Sequence, residues 1–171
     1  MLFEDKSSEF KYSHVDSEFN RFHAIFLIDA KSGLTFCSKK YSTSMGKFNK
    51  HSDDLITGFL NALNYFVKEI DNANESIQEI NFKKSRLLYD QKGRLMVIGF
   101  SKKTDVNIER EILSDILNDF YTKYRNYIEN FKGNVQIFEN FKKDLDHYNT
   151  SWYFRSGHIN DQMRFSRFKI D

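Results

Sequence analysis

The chain has 171 residues and a mass of 20.4 kDa, the size of one domain with a tail, which argues against a multidomain enzyme. Twenty-six Lys and Arg stand against 24 Asp and Glu, a net charge of +2, too even for a protein whose whole surface grips nucleic acid. With 40% hydrophobic and 16% aromatic residues the chain has enough apolar side chain to offset its conformational entropy, so wholesale disorder is excluded.

A single cysteine, Cys37, rules out an internal disulfide framework and a cysteine-rich zinc site. No run reaches about 18 apolar residues, and Met1 to Asn20 carries five acids and two lysines where a secretory leader would be basic and then apolar. A soluble, cytoplasmic chain is expected. The absence of proline points to coding bias and not to a task.

Charge is unevenly spread: residues 21–51 hold six Lys and Arg against one Asp, and no acid lies between Lys31 and Asp53. Residues 1–21 read as a polar arm, 22–131 as one domain, and 132–171 as an extension.

In chain order, Ala24 to Ile28 is an unbroken apolar run, the pattern of a strand buried on both faces, within His23–Ala30. Asp29 to Gly33 is a turn, and Leu34 to Tyr41 reads as a hairpin partner with Leu34 and Phe36 on one face and Thr35, Cys37 and Lys39 on the other. A lysine-rich loop follows. Ser52 is a candidate helix cap, and Asp53 and Asp54 suit the positive end of a helix dipole. Leu55, Ile56, Phe59, Leu60, Leu63, Phe66, Val67 and Ile70 recur at helical spacing and predict an apolar stripe that lies on the sheet, in a helix reaching about Asp71.

Three further strands are predicted, Ile77–Lys84, Ser85–Asp90 and Gly93–Ser101, with a hairpin turn at Asp90–Gly93. A second long helix is capped by Asp105 or Asn107, runs along Ile108, Ile112, Ile116, Phe120, Tyr124, Tyr127 and Phe131, and ends against Gly133. A third is expected over Gln136–Tyr148. The aromatic tail beyond it is expected to dock on the domain, since its rings would be costly to leave in water.

Because the first and last strands are apolar on both sides, both sheet faces need cover, and helices are available for each. The predicted fold is α/β (α+β), a three-layer α-β-α sandwich around a mainly antiparallel five-stranded sheet in the order 2-1-5-4-3.

Three local stretches carry a family resemblance: Ile25-Phe26-Leu27-Ile28-Asp29 followed by Ser32-Gly33-Leu34; Asp53-Asp54-Leu55-Ile56-Thr57-Gly58-Phe59-Leu60; and Gly93-Arg94-Leu95-Met96-Val97-Ile98. With the element order, they make about two thirds of the chain resemble the longin-like domains of the SNARE-like, profilin-like superfamily. Roadblock domains, the near relatives, begin with an extra helix, and Met1–Asn20 lacks helical apolar spacing. The resemblance implies a non-catalytic platform in a vesicle-trafficking-like process. Its implied partners are a small GTPase or a longin or roadblock domain, with homodimerisation through a sheet edge or the first helix.

The sequence carries few motifs with chemistry of their own. No phosphate-binding glycine loop and no GxSxG elbow is present, and the five histidines form no HxH or HExxH. Cys37 reads as strand packing, and Asp144 and Asp146 beside His147 as a solvated helix face. No catalytic residue, cofactor or metal is assigned, and nucleic acid is not an expected partner.

The candidate contact residues are Lys39, Lys40, Lys47 and Lys50 of the lysine loop, Trp152, and the tail residues Arg164, Phe165, Arg167 and Phe168. The alternative function they support is peripheral membrane binding by loop and tail. An enzyme of unrecognised type is the lesser alternative.

Overall fold

The computed structural model describes residues 20–41, 51–70 and 76–149, the side chains of His51 and Ser52 excepted. Its elements are β1 (Phe22–Asp29), β2 (Thr35–Lys40), α1 (His51–Ile70), β3 (Glu79–Asn81), β4 (Arg86–Lys92), β5 (Leu95–Ser101), α2 (Val106–Glu129), a 3-10 turn (Gln136–Phe138) and α3 (Phe141–Tyr148).

All pairings are antiparallel and the sheet order is β2-β1-β5-β4-β3. The two most apolar strands sit inside, as their composition demands. In β1, Ile25 and Leu27 face one side, while Ala24, Phe26 and Ile28 face the other; in β5, Leu95 and Val97 oppose Met96 and Ile98. Every one of these side chains is buried.

The Leu27 and Val97 side is covered by α2 through Ile112, Leu113, Ile116 and Phe120, and by α3 through Phe141 and Leu145. The Phe26 and Ile98 side is covered by α1 through Leu60, with Ile56 packed beside it. Three layers result, as expected, with helices on both faces.

Gly99 permits the close seat of α2 on β5: a Cβ there would lie 2.7 Å from Phe22 Cε1 and 2.9 Å from Leu113 Cδ2. At the other end of the core, Phe36 meets the Phe138 ring at 4.8 Å, and Phe120 meets Phe141 at 4.9 Å edge-on, geometries that aromatic quadrupoles favour.

Several boundaries differ from the expectation. The β1–β2 register shifts between Leu27 and Ile28, so that Leu27 pairs with Cys37 and Ile28 with Thr35, leaving Phe36 as the extra residue of a bulge. Strict alternation predicts Thr35, Cys37 and Lys39 on one face. The bulge instead turns Thr35 towards α1, while Phe36 and Cys37 share the α2–α3 side.

Helix α1 opens at His51, so Ser52 lies within it. Strand β3 is three residues long where eight were expected, and β4 runs on to Lys92. Helix α2 is capped by Asp105, whose side chain accepts from the Asn107 and Ile108 amides, but ends at Glu129 with Asn130 as its C-cap. Gly133 does adopt φ +98°, in the loop beyond, and does not cap the helix. The expected third helix is broken into the 3-10 turn and the shorter α3.

Candidate functional site: the outer face of α1

Polar side chains fix how α1 sits. Asp53 in its first turn accepts a hydrogen bond from Ser38 Oγ at 2.7 Å and pairs with Lys40. One turn on, Thr57 Oγ1 lies 2.9 Å from Thr35 Oγ1 and 3.1 Å from the Gly33 carbonyl. Gly33 takes φ +75° and lies 3.3 Å, measured from the position of a Cβ, from both Gly58 Cα and Asn61 Nδ2. A side chain at Gly33 would press into the helix and strain the turn. Further along, the Tyr65 hydroxyl donates to the Ala30 carbonyl at 2.9 Å, and Asn64 Oδ1 accepts from the Ile77 amide at 3.1 Å.

These contacts turn Thr57, Leu60, Asn61 and Asn64 inward. At 100° per residue the eight apolar positions span about 140° of the helix, wider than the strip the sheet covers. Its outer half is left in solvent. Leu55 is 76% exposed, Phe59 65%, Phe66 61% and Ile70 66%, and their spacings of 4, 7 and 4 set them on one line along the helix. The whole stripe was expected to face the sheet; only its Leu60 edge is buried there, with Ile56, Leu63 and Val67 half-buried between. Sequence periodicity finds the stripe but not its split. The signal that could have found it is the row of polar Thr57, Asn61 and Asn64 on the adjoining side, suited to strand ends and loop backbone and not to open water.

Of the loop lysines, Lys39 and Lys40 are described, and they are not gathered. Lys39 and Lys40 occupy successive positions on β2 and reach opposite faces: Lys39 pairs with Asp146 of α3 and Lys40 with Asp53 of α1. Lys47, Lys50, Trp152, Arg164, Phe165, Arg167 and Phe168 lie outside the described residues. Cys37 is buried, and burial pushes its thiol up to about 12, so it is a thiol and not a thiolate at neutral pH. Among the described residues no group of three or more His, Cys, Asp or Glu is placed to hold a metal ion, and no helix is long and apolar enough to cross a membrane.

The strand order, with one helix between β2 and β3 on one face and the next after β5 on the other, makes the fold longin-like, the type that roadblock domains share. No family model and no curated protein matches the sequence. Among solved structures, the chain is similar to a roadblock/LC7 domain from Streptomyces avermitilis, at 9% identity over 65% of this chain and 88% of that one, with a TM-score of 0.45. It is similar also to MglB of Myxococcus xanthus, at 17% identity over 66% and 81% with a TM-score of 0.44. A chain in a homology model of the full-length AP-3 complex in a stretched open conformation matches at 12% identity over 73% and 93%, with a TM-score of 0.36.

Proposed function

We propose that this chain is a non-catalytic, cytoplasmic longin-like adaptor whose α1 face takes a second domain of longin or roadblock type, another copy of itself included. In this reading the resulting pair binds a small GTPase in a trafficking-like process. One observation carries the proposal: four large apolar side chains lie in line on a helix otherwise anchored by polar contacts, each more than half exposed. Patches of this kind on soluble domains mark interaction sites. A single apolar helical face is also self-complementary, so two copies related by a twofold axis can bury the same residues against each other.

Two measurements test it. The full chain is passed over size exclusion with light scattering, and is then used to capture small GTPases loaded with GDP or GTP. A pair that F59E/F66E splits, and a GTPase retained in one nucleotide state, support the reading. A chain that is monomeric at every concentration and that retains neither a GTPase nor a longin or roadblock partner overturns it.

A further inference from the structure

The exposed line on α1 reads alike from either end. Leu55 and Ile70 share one midpoint, between Ala62 and Leu63, and Phe59 and Phe66 share the same one. Counted outward from that point, a phenylalanine comes first on each side and an aliphatic residue second. Ala62, exposed and on the same line, occupies the centre, where its small side chain lets another helix come close. A partner of different sequence sets no such symmetry on the spacing. A second copy related by a twofold axis does, because every contact between the two is made twice.

The flanks of the line decide how that copy is turned. One flank carries the half-buried apolar Ile56, Leu63 and Val67, and the other the exposed Asp54, Tyr65 and Glu69. Two copies of a helix packed face to face are related either by a twofold axis along the helices, which leaves them parallel, or by one across them, which leaves them antiparallel. The first sets the apolar flank of each copy against the polar flank of the other. The second sets apolar against apolar and gathers the polar flanks at the wet rim. Antiparallel packing also brings the positive end of each helix dipole beside the negative end of the other.

We propose that the α1 face takes a second copy of this chain, antiparallel, with the twofold axis passing between the helices at Ala62 and Leu63. Phe59 of each copy then packs on Phe66 of the other, and Leu55 on Ile70. The inference rests on the reading of α1 as the docking face and goes beyond it by fixing the partner and its orientation.

The test is disulfide trapping of the full chain with oxidised glutathione, at exposed positions along the line. The native Cys37 is 2% exposed and stays out of the exchange. In the antiparallel pair the two copies of Ala62 lie beside the axis, within the roughly 4.4–6.8 Å between Cα atoms that a disulfide spans. The two copies of Leu55 lie about 22 Å apart, at about 1.5 Å of rise per residue. A62C is expected to form a covalent dimer, L55C alone and I70C alone to form none, and L55C mixed with I70C to form a mixed one. F59E/F66E added to A62C is expected to abolish the link, which separates a built pair from chance encounters; a link that survives them overturns the proposal. L55C linking to itself also overturns it and means a parallel pair, and any other pattern in a chain that dimerises through α1 overturns it too, while the adaptor reading stands. A chain that stays monomeric overturns the proposal, and whether it then retains a longin domain, a roadblock domain or a GTPase decides the adaptor reading separately.

Discussion

Thr57 Oγ1 on α1 and Thr35 Oγ1 on β2 lie 2.9 Å apart, and the bulge at Phe36 is what brings Thr35 round to that face. With the Gly33 carbonyl at 3.1 Å and the Asp53 carbonyl at 2.9 Å, Thr57 is a buried polar anchor that decides which side of α1 meets the sheet. Replacing Thr57 by Val keeps the volume but strands the Thr35 hydroxyl and the Gly33 carbonyl. A loss of about 1–2 kcal/mol in urea unfolding is expected. The double variant T35V/T57V is expected to lose less than the sum of the two single changes, since a shared contact is removed once.

The buried Asp29 carboxylate closes the β1–β2 turn. It accepts from Ser32 Oγ at 2.6 Å and the Lys31 amide at 3.2 Å, and it holds Arg94 bidentately at 2.6 and 2.9 Å. Burial alone would raise its pKa, but the bonds from Arg94, Ser32 and Lys31 outweigh that and hold the carboxyl below its usual value of 3.8. A carboxylate with a depressed folded pKa contributes stability above its unfolded pKa and loses it as pH falls through the folded one. The wild-type chain is therefore expected to lose stability below about pH 4, and D29N to lose less of it over the same window. R94A, which leaves the buried charge without its main partner, is expected to cost about 3 kcal/mol at neutral pH.

Much of the architecture was legible in the sequence, for identifiable reasons. An apolar run such as Ala24–Ile28 has no second reading once its length is too short for a buried helix, and two such runs force helices onto both faces of the sheet. What stayed hidden depended on tertiary contacts that periodicity does not encode. The bulge at Phe36 is a single-residue shift in a strand whose composition fits either register. The split of the α1 stripe is decided by Thr57 and Tyr65 finding the backbone of the β1–β2 turn, far away in sequence. Lys39 and Lys40 look like one patch when read in a row, yet the pleat sends them to opposite layers.

Gly99 is a point of close approach between β5 and α2. An added methyl would meet the Phe22 ring at 2.7 Å and Leu113 at 2.9 Å, inside a core with no slack. G99A is expected to destabilise by about 1–3 kcal/mol in urea unfolding, and G58A, with nothing within 4 Å of its added Cβ, is expected to be neutral or slightly stabilising.

The segment after α2 is tied to the start of the sheet at Asn149, whose carbonyl also accepts from the Arg21 amide at 3.2 Å. Asn149 Oδ1 accepts from the Phe22 amide at 2.7 Å and its Nδ2 donates to the Phe22 carbonyl at 3.2 Å, both in a fully buried setting. N149A leaves two backbone groups unpaired and is expected to cost about 2 kcal/mol. Hydrogen exchange is expected to rise over Phe141–Tyr148 and over the first residues of β1 together; a rise in only one of them would mean that the two are not coupled through Asn149.

The claim that the outer face of α1 takes a second domain is tested most directly by sedimentation equilibrium of the full chain beside its F59E/F66E variant, with thermal melts run on both. A reversible dimer is expected for the former, a monomer for the latter, and melting of the isolated variant that reflects only the lost pairing. A wild-type chain that stays monomeric throughout, or a dimer that persists with glutamates at both positions, would contradict it.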